Sequence, residues 1–225
     1  MDFHRLPFYE WDDTLKERFR KRFLSLFRIC TEYTAKRILG KRADTGMKLQ
    51  TIKHMLVMFV VNHLCDGAYL FEVKRILLNS IGYSLGEGTK VVGPIYCTAK
   101  LKTGSDCWLG RNFTIHGNGF VDMGDNCDIA KDVTFLTGRQ SAEAEDSGIV
   151  EDRKNFVCVG EGTWIGAHAT LGRNVTIGKG CMVLADACVM KDMPENTLIG
   201  GVPARIVRKL NEVETYRFLQ SLEST

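Results

Sequence analysis

The sequence predicts a mainly β protein: a parallel sheet wound into a coil, preceded by a helical N-terminal region and closed by a C-terminal helix. Three observations predict it. An aliphatic residue recurs at every sixth position at Val159, Ile165, Leu171, Ile177, Val183 and Val189, and the first four are each followed by Gly. Between them Thr163, Ala169, Val175, Cys181 and Ala187 place a small or apolar residue two positions before the next aliphatic one. Residues 1–82 carry none of this rhythm. A helix of 3.6 residues per turn cannot keep a period of six on one face, whereas a short strand followed by a turn can. Each six-residue unit is therefore one flat side of a coil, with its apolar pair pointing inward and Gly relieving the corner.

A chain of 225 residues can bury one large core or two small ones. The expected division is a helical region over 1–82, the coil over 83–205 with an excursion loop near 137–156, and a closing helix over 206–225. The net charge of +3 comes with no basic stripe interleaved with aromatics in the repeats, so nucleic acid is not an expected partner. The eight cysteines show no CxxC spacing and no signal peptide precedes them, which points to thiols in a reducing cytoplasm. Cys97, Cys107, Cys127 and Cys181 fall on inward positions, where a thiol acts as a small apolar side chain. The most apolar run, Met55 to Val61, is too short to cross a bilayer.

Taken in order, a first helix starts at Asp13 or Thr14 and ends near Gly40, with Leu15, Phe19, Phe23, Leu26 and Phe27 on one side. Its other side carries Lys16, Arg18, Arg20, Lys21, Arg22 and Arg28; that face is either solvated or in peripheral contact with an anionic membrane surface. A second helical stretch runs from about Leu49 to Asn79 with a break near Asp66-Gly67. Its Met55 to Leu64 portion is apolar nearly all round and is expected to be buried; His54 and His63 are expected to be packed or capping residues. The coil begins at Leu85 and keeps its period through Val91, Cys97, Thr103, Leu109, Ile115 and Val121. There the frame shifts by two to Met123, Ile129 and Phe135, which predicts a bulge between Val121 and Met123. Gly138 to Gly148 is polar and out of register, and is expected to leave the coil as a loop, a place where binding residues tend to sit. Ile206 to Leu219 is expected to form the closing helix over the last open sheet edge.

The six-residue units, Gly110-Arg-Asn-Phe, Gly124-Asp-Asn, Trp164-Ile-Gly and above all Lys191-Asp-Met-Pro with Gly200-Gly-Val-Pro-Ala-Arg-Ile-Val-Arg208 resemble the hexapeptide-repeat acyltransferases. The closest types are the galactoside and maltose O-acetyltransferases and the capsular and exopolysaccharide O-acetyltransferases. Over residues 85 to 210 the resemblance implies a left-handed parallel β-helix, a homotrimer with active sites between subunits, and acetyl-CoA as acyl donor. Acetyl would pass to a hydroxyl of a saccharide or other small-molecule acceptor, in surface polysaccharide synthesis, at the inner face of the membrane. A serine acetyltransferase and a catalytically inactive CoA-binding trimer are the alternatives.

A sugar hydroxyl is a weak nucleophile at neutral pH, so the family supplies a histidine as general base and donors for the oxyanion. Carried over onto Val133-Thr-Phe-Leu-Thr-Gly-Arg-Gln140, the slot of that histidine holds Gln140, which can hydrogen-bond but not take a proton usefully. His116, in Ile115-His-Gly-Asn118, aligns with an acceptor-binding position and is the candidate base; the alternative is that it only hydrogen-bonds the acceptor or fills a turn. Asn118 and Gln140 are the acceptor-binding candidates. His168, in Gly166-Ala-His-Ala, matches a histidine without a catalytic role in relatives. Ala167 and Ala185 match positions that line the pantetheine arm, and Lys191 and Arg208 match the basic positions near the CoA phosphates, with Arg205 a further cation. No metal is expected: the related carbonic anhydrases need three histidines, and only two of the five here lie in the repeats.

Overall fold

The computed structural model describes residues 45–65, 67–138 and 155–211, together with Arg18, Lys21, Arg22 and Ser25. Two helices, α1 (Thr45–Phe59) and α2 (Phe71–Asn79), precede a parallel β-solenoid of five turns. A π-helical turn, Val60–Leu64, extends α1 up to the break at Cys65.

The solenoid has three faces. The first holds β1 (Lys90–Val91), β4 (Trp108–Leu109), β7 (Asp128–Ile129), β10 (Trp164–Ile165), β13 (Met182–Val183) and β15 (Thr197–Gly201). The second holds β2 (Ile95–Cys97), β5 (Phe113–His116), β8 (Thr134–Leu136), β11 (Thr170–Leu171) and β14 (Cys188–Val189). The third holds β3 (Lys100–Thr103), β6 (Phe120–Met123), β9 (Phe156–Val159) and β12 (Val175–Ile177). Each strand pairs in register with its equivalent one turn away, so Ile115 lies beside Phe135 and Phe135 beside Leu171. Every expected aliphatic position from Val159 to Val189 is buried, as are Cys107, Cys127 and Cys181; Cys97 is half-buried and packs against the same core.

Thr103, a poor inward residue by hydropathy, is buried because its hydroxyl is satisfied: it donates to Gly104 O at 3.0 Å and accepts from Gly86 N at 3.3 Å. The expected bulge between Val121 and Met123 is not there. Strands of the third face simply carry two inward residues, Val121 and Met123 in β6 as Leu101 and Thr103 in β3. The extra residues sit one corner earlier: Leu101 follows Cys97 by four positions, whereas Val121, the partner of Leu101, follows Ile115, the partner of Cys97, by six.

Two further expectations change. The stretch Met55 to Leu64 is buried on one side only, through Val57, Val60 and Val61, while Met55, Phe59 and Leu64 are exposed. The helix packs on the end of the coil along one stripe, and Phe59 instead stacks on His63 at 4.8 Å. The closing element begins as a strand: β16 (Ala204–Lys209) doubles back antiparallel on β15, so Ile206 and its neighbours cover the sheet edge by pairing with it. Residues beyond 211 and most of the expected first helix lie outside the described residues; within that helix Arg18, Lys21 and Arg22 are helical and exposed.

The first turn of a parallel coil has no strand below it, and the helical region satisfies that edge. Asn62 does so for β2, donating to Ile95 O at 2.9 Å and accepting from Ile95 N at 3.0 Å. Asn79 treats Leu85 in the same reciprocal way, at 3.0 and 2.8 Å. The fully buried Lys74 donates to Val92 O at 3.0 Å and Gly67 O at 2.6 Å, with its ammonium 5.1 Å from the Phe71 ring centroid. Replacing Asn62 by Ala leaves both Ile95 groups unpaired, and urea denaturation is expected to show a loss of about 1–3 kcal/mol.

Asp128 stands on the outside of the first face between Trp108 and Trp164, and burial there raises its carboxyl to about 6. The native state then holds this proton more tightly than the unfolded chain does, so its contribution to stability falls as pH rises from about 4 to about 6. Asp128→Asn is expected to raise the melting temperature at neutral pH, with the gain disappearing below about pH 4 in thermal scans.

Candidate functional site

The corner between the second and third faces is where the regular coil is most altered. In the first turn only Thr98 and Ala99 separate the register positions Cys97 and Lys100, whereas in the second the four residues His116 to Gly119 separate their partners Ile115 and Phe120, two more. In the third turn the same corner holds the excursion between Thr137 and Asn155, of which residues 139–154 lie outside the described residues. His116 ends β5 at this corner with its side chain exposed, and Asn118 is exposed in the turn that follows.

The corner is bound together by hydroxyls. Thr98 Oγ1 donates to Gly117 O at 2.8 Å and accepts from Gly117 N at 3.0 Å. One turn up, Thr137 donates through its backbone N to His116 O at 2.7 Å, and its hydroxyl lies 3.1 Å from the same oxygen and 3.3 Å from Gly119 N. The excursion thus starts and ends on this turn. A Cβ at Gly117, which has φ +120°, would overlap the Gly138 backbone, and one at Gly119 would overlap the Asn155 carbonyl. Asn155 is itself held by Asn174, whose Oδ1 accepts from Asn155 N at 2.8 Å.

Ala167 and Ala185 lie together at a different corner, between the first and second faces, where Asp186 N donates to Ala167 O at 2.9 Å. Ala185 is exposed and Ala167 half-buried, and neither backbone N–H has a partner among the described residues. Small side chains beside unpaired amide donors suit an extended amide-containing chain such as pantetheine. The same corner carries Asn112, Asp132 and His168 in successive turns: Asn112 Nδ2 donates to Asp132 Oδ1 at 2.7 Å, and His168 Nε2 lies 3.8 Å from Asp132 Oδ2. All three have positive φ, as does Asp186, and form one ladder of tight turns.

Arg205 pairs in register with Gly200 near this corner, and Arg208 pairs with Leu198 further along β15. Both are exposed, and their guanidinium groups rest on backbone carbonyls of Ala204 and Lys209 at 2.9 and 3.3 Å. Lys191 is exposed on the link after β14, at the His116 corner but higher in the coil. Gln140 lies outside the described residues.

The candidates therefore fall into two groups at opposite edges of the second face. His116, Asn118 and Lys191 share one edge; Ala167, Ala185 and Arg205 share the other. Sequence reasoning did not find Thr98 and Thr137, whose hydroxyls shape the His116 turn, nor the stacked pair Phe120 and Phe156 beside it, with ring centroids 5.9 Å apart. The pair does have a sequence signal, since each Phe opens a strand of the third face one position before an inward Val.

Among the described residues no group of His, Cys, Asp or Glu could hold a metal ion, and no helix is long and apolar enough to cross a membrane. A five-turn parallel solenoid is the fold of solved hexapeptide-repeat acetyltransferases. Comparison with known proteins agrees. The chain is 28% identical to galactoside O-acetyltransferase of Escherichia coli over 181 residues, covering 78% of this chain and 86% of that one. It is 25% identical over 147 residues, 64% of this chain and 79% of the other, to an Escherichia coli acetyltransferase provisionally assigned to colanic acid biosynthesis. The solved galactoside acetyltransferase in complex with coenzyme A shares the fold, with a TM-score of 0.59, 23% identity, and coverage of 77% of this chain and 86% of that one. No protein-family model matches the chain. In sequence the chain is similar to these acetyltransferases, and its fold is that of the solved hexapeptide-repeat acetyltransferases.

Proposed function

We propose that this protein is an O-acetyltransferase that moves the acetyl group of acetyl-CoA to a hydroxyl of a saccharide, working as a homotrimer in surface polysaccharide synthesis. The observation that carries the reading is the lengthened corner at Gly117–Gly119, which presents His116 and Asn118 at the foot of the excursion loop. It is supported by the relatives, whose names assign them acetyl transfer to galactosides and a place in colanic acid biosynthesis.

The chemistry follows from the side chains available. The imidazole of His116 takes the proton of the acceptor hydroxyl as its oxygen attacks the thioester carbonyl carbon. The resulting tetrahedral oxyanion needs an N–H donor. When it collapses, the carbon–sulfur bond breaks and the sulfur leaves as a thiolate that takes the proton back from the imidazolium. Asn118 and Gln140 hold the acceptor through amide hydrogen bonds. The Ala167 and Ala185 amides and their small side chains accommodate the pantetheine arm, and Lys191, Arg205 and Arg208 supply cations for the CoA phosphates.

Because the two groups stand at opposite edges of the second face, a trimer in which the His116 edge of one subunit meets the Ala167 edge of the next would complete each site. The basic residues of the N-terminal helix then favour work near anionic membrane surfaces on lipid-linked saccharides. Acetyl transfer from acetyl-CoA to a panel of sugars is expected to fall about 10²–10⁴-fold in kcat for His116→Ala with the fold intact. Lys191→Ala is expected to raise KM for acetyl-CoA with little change in kcat. Full activity in His116→Ala would overturn the assignment of the base, and a monomer at equilibrium sedimentation would overturn the shared site.

A further inference from the structure

The outer face of the third sheet is not used by any step above. It starts beside the His116 corner with the stacked pair Phe120 and Phe156, Phe120 being 39% exposed. Lys100 stands next to Phe120 in register on β3, exposed and without a partner among the described residues. Two residues further along the strands, an open cleft of about 630 Å³ runs across β3, β6, β9 and β12. Its floor is formed by the Lys102–Asp122 ion pair at 3.2 Å, the half-buried Cys158 and the exposed Thr176. Its far wall is the next corner of the coil, where Asp125, Glu161 and Lys179 project from successive turns.

Along β6, Phe120 to Met123 spans about 10 Å before the coil turns at Gly124, room for roughly two linked pyranose rings. The composition suits such a ligand. Aromatic rings at one end offer apolar surface to the C–H faces of a sugar, and beyond them carboxylates, a lysine and a threonine offer acceptors and donors to its hydroxyls. A subunit interface is a poorer fit, because the core of such a patch is depleted in charge, whereas here the centre is an ion pair whose two side chains are 66% and 40% exposed.

We propose that this face is a saccharide-binding groove that holds the sugar units adjoining the acetylated residue, so that the enzyme recognises an oligosaccharide and not a single sugar. The proposal rests on the acetyltransferase reading for the identity of the acceptor, but the binding it describes is measurable without turnover.

Cys158 on the groove floor is a built-in reporter. Burial, with the nearby Asp122 and Asp192 carboxylates, raises its thiol above the ordinary value against the opposing effect of Lys102. Labelling with iodoacetamide is therefore run at about pH 9 and read at the Cys158 peptide, with glutathione added to the same mixture as the control for reagent and pH. The probes are maltotetraose, cellotetraose and β-1,4-galactotetraose with their monosaccharides. At least one tetrasaccharide is expected to slow Cys158 labelling about fivefold while leaving the alkylation of glutathione unchanged, and its monosaccharide is expected to leave both rates unchanged. Phe120→Ala and Asp122→Asn, each checked for an unchanged melting temperature, are expected to weaken that protection about tenfold.

The groove is overturned if no tetrasaccharide protects Cys158. It is also overturned if Cys158 is already shielded in the absence of sugar and becomes reactive on dilution, which would mean that a second copy of the chain covers the face. Protection without acetyl transfer leaves the groove standing and removes the enzymatic reading. Acetylation of monosaccharides without protection by any tetrasaccharide does the reverse.

Discussion

The structure depends on one constraint: every rung of the coil hydrogen-bonds to the rung above and the rung below, so the pairing can stop only where something other than a strand satisfies it. At the start, the helical region supplies that ending with side chains. Asn62 and Asn79 each present an amide that copies the donor and acceptor of a missing strand, and the Lys74 ammonium and Gly67 N–H take the carbonyl of Val92. At the other end β16 folds back on β15 and turns a parallel edge into an antiparallel hairpin. The helices are therefore not an appendage. Without them Leu85, Val92 and Ile95 would expose backbone groups at a template ready to accept a foreign strand.

The same constraint explains where function can be placed. Strand registers are locked by the inward aliphatic residues, so a face cannot gain or lose a residue without turning its core outward. Corners are free to lengthen, since their residues already point away from the axis. One corner does so twice, by two residues over His116–Gly119 and by the whole segment between Gly138 and Asn155, and the two insertions lie on consecutive turns. Glycine is needed at both 117 and 119 because the backbone at Gly138 presses directly on the first and the Asn155 backbone on the second. A histidine at the end of β5 is thereby held on a rigid strand and exposed at this corner.

The coil was plain in the sequence because its signal is a sum over many repeats, and one poor residue such as Thr103 does not erase it. The helices were less legible. Met55, Phe59 and Leu64 are apolar like Val57, Val60 and Val61, and nothing local distinguishes the stripe that meets the coil from the one that does not. The frame shift was visible, but its position was not. A two-residue insertion before Val121 leaves the same hydrophobic spacing as a bulge after it, and only the pairing of Leu101 with Val121 separates them. The segment after Ala204 failed for a related reason: Arg205-Ile-Val-Arg-Lys209 has the apolar residues of a short amphipathic helix, but an unpaired edge on β15 is worth more to it than its own intrahelical bonds.

The candidate site was legible residue by residue and not as an assembly. Motif matching named His116, Ala167, Ala185 and Lys191 separately, and the three faces of the coil then distribute them over two edges. Each edge has the chemistry of half a reaction: an exposed imidazole and amide on one side, unpaired backbone donors beside small side chains on the other. A thioester carried along the second edge comes within reach of the first only by crossing the second face or by lying between two copies of the chain. The outer residues along that face, the exposed Tyr96 and the half-buried Thr114, Thr134, Thr170 and Cys188, are uncharged, with no cation to hold a phosphate. The cations stand instead at Lys191, Arg205 and Arg208, toward the closing end of the coil. That placement favours a donor that enters from the closing end and passes along an edge, and so favours a partner subunit to supply the other half.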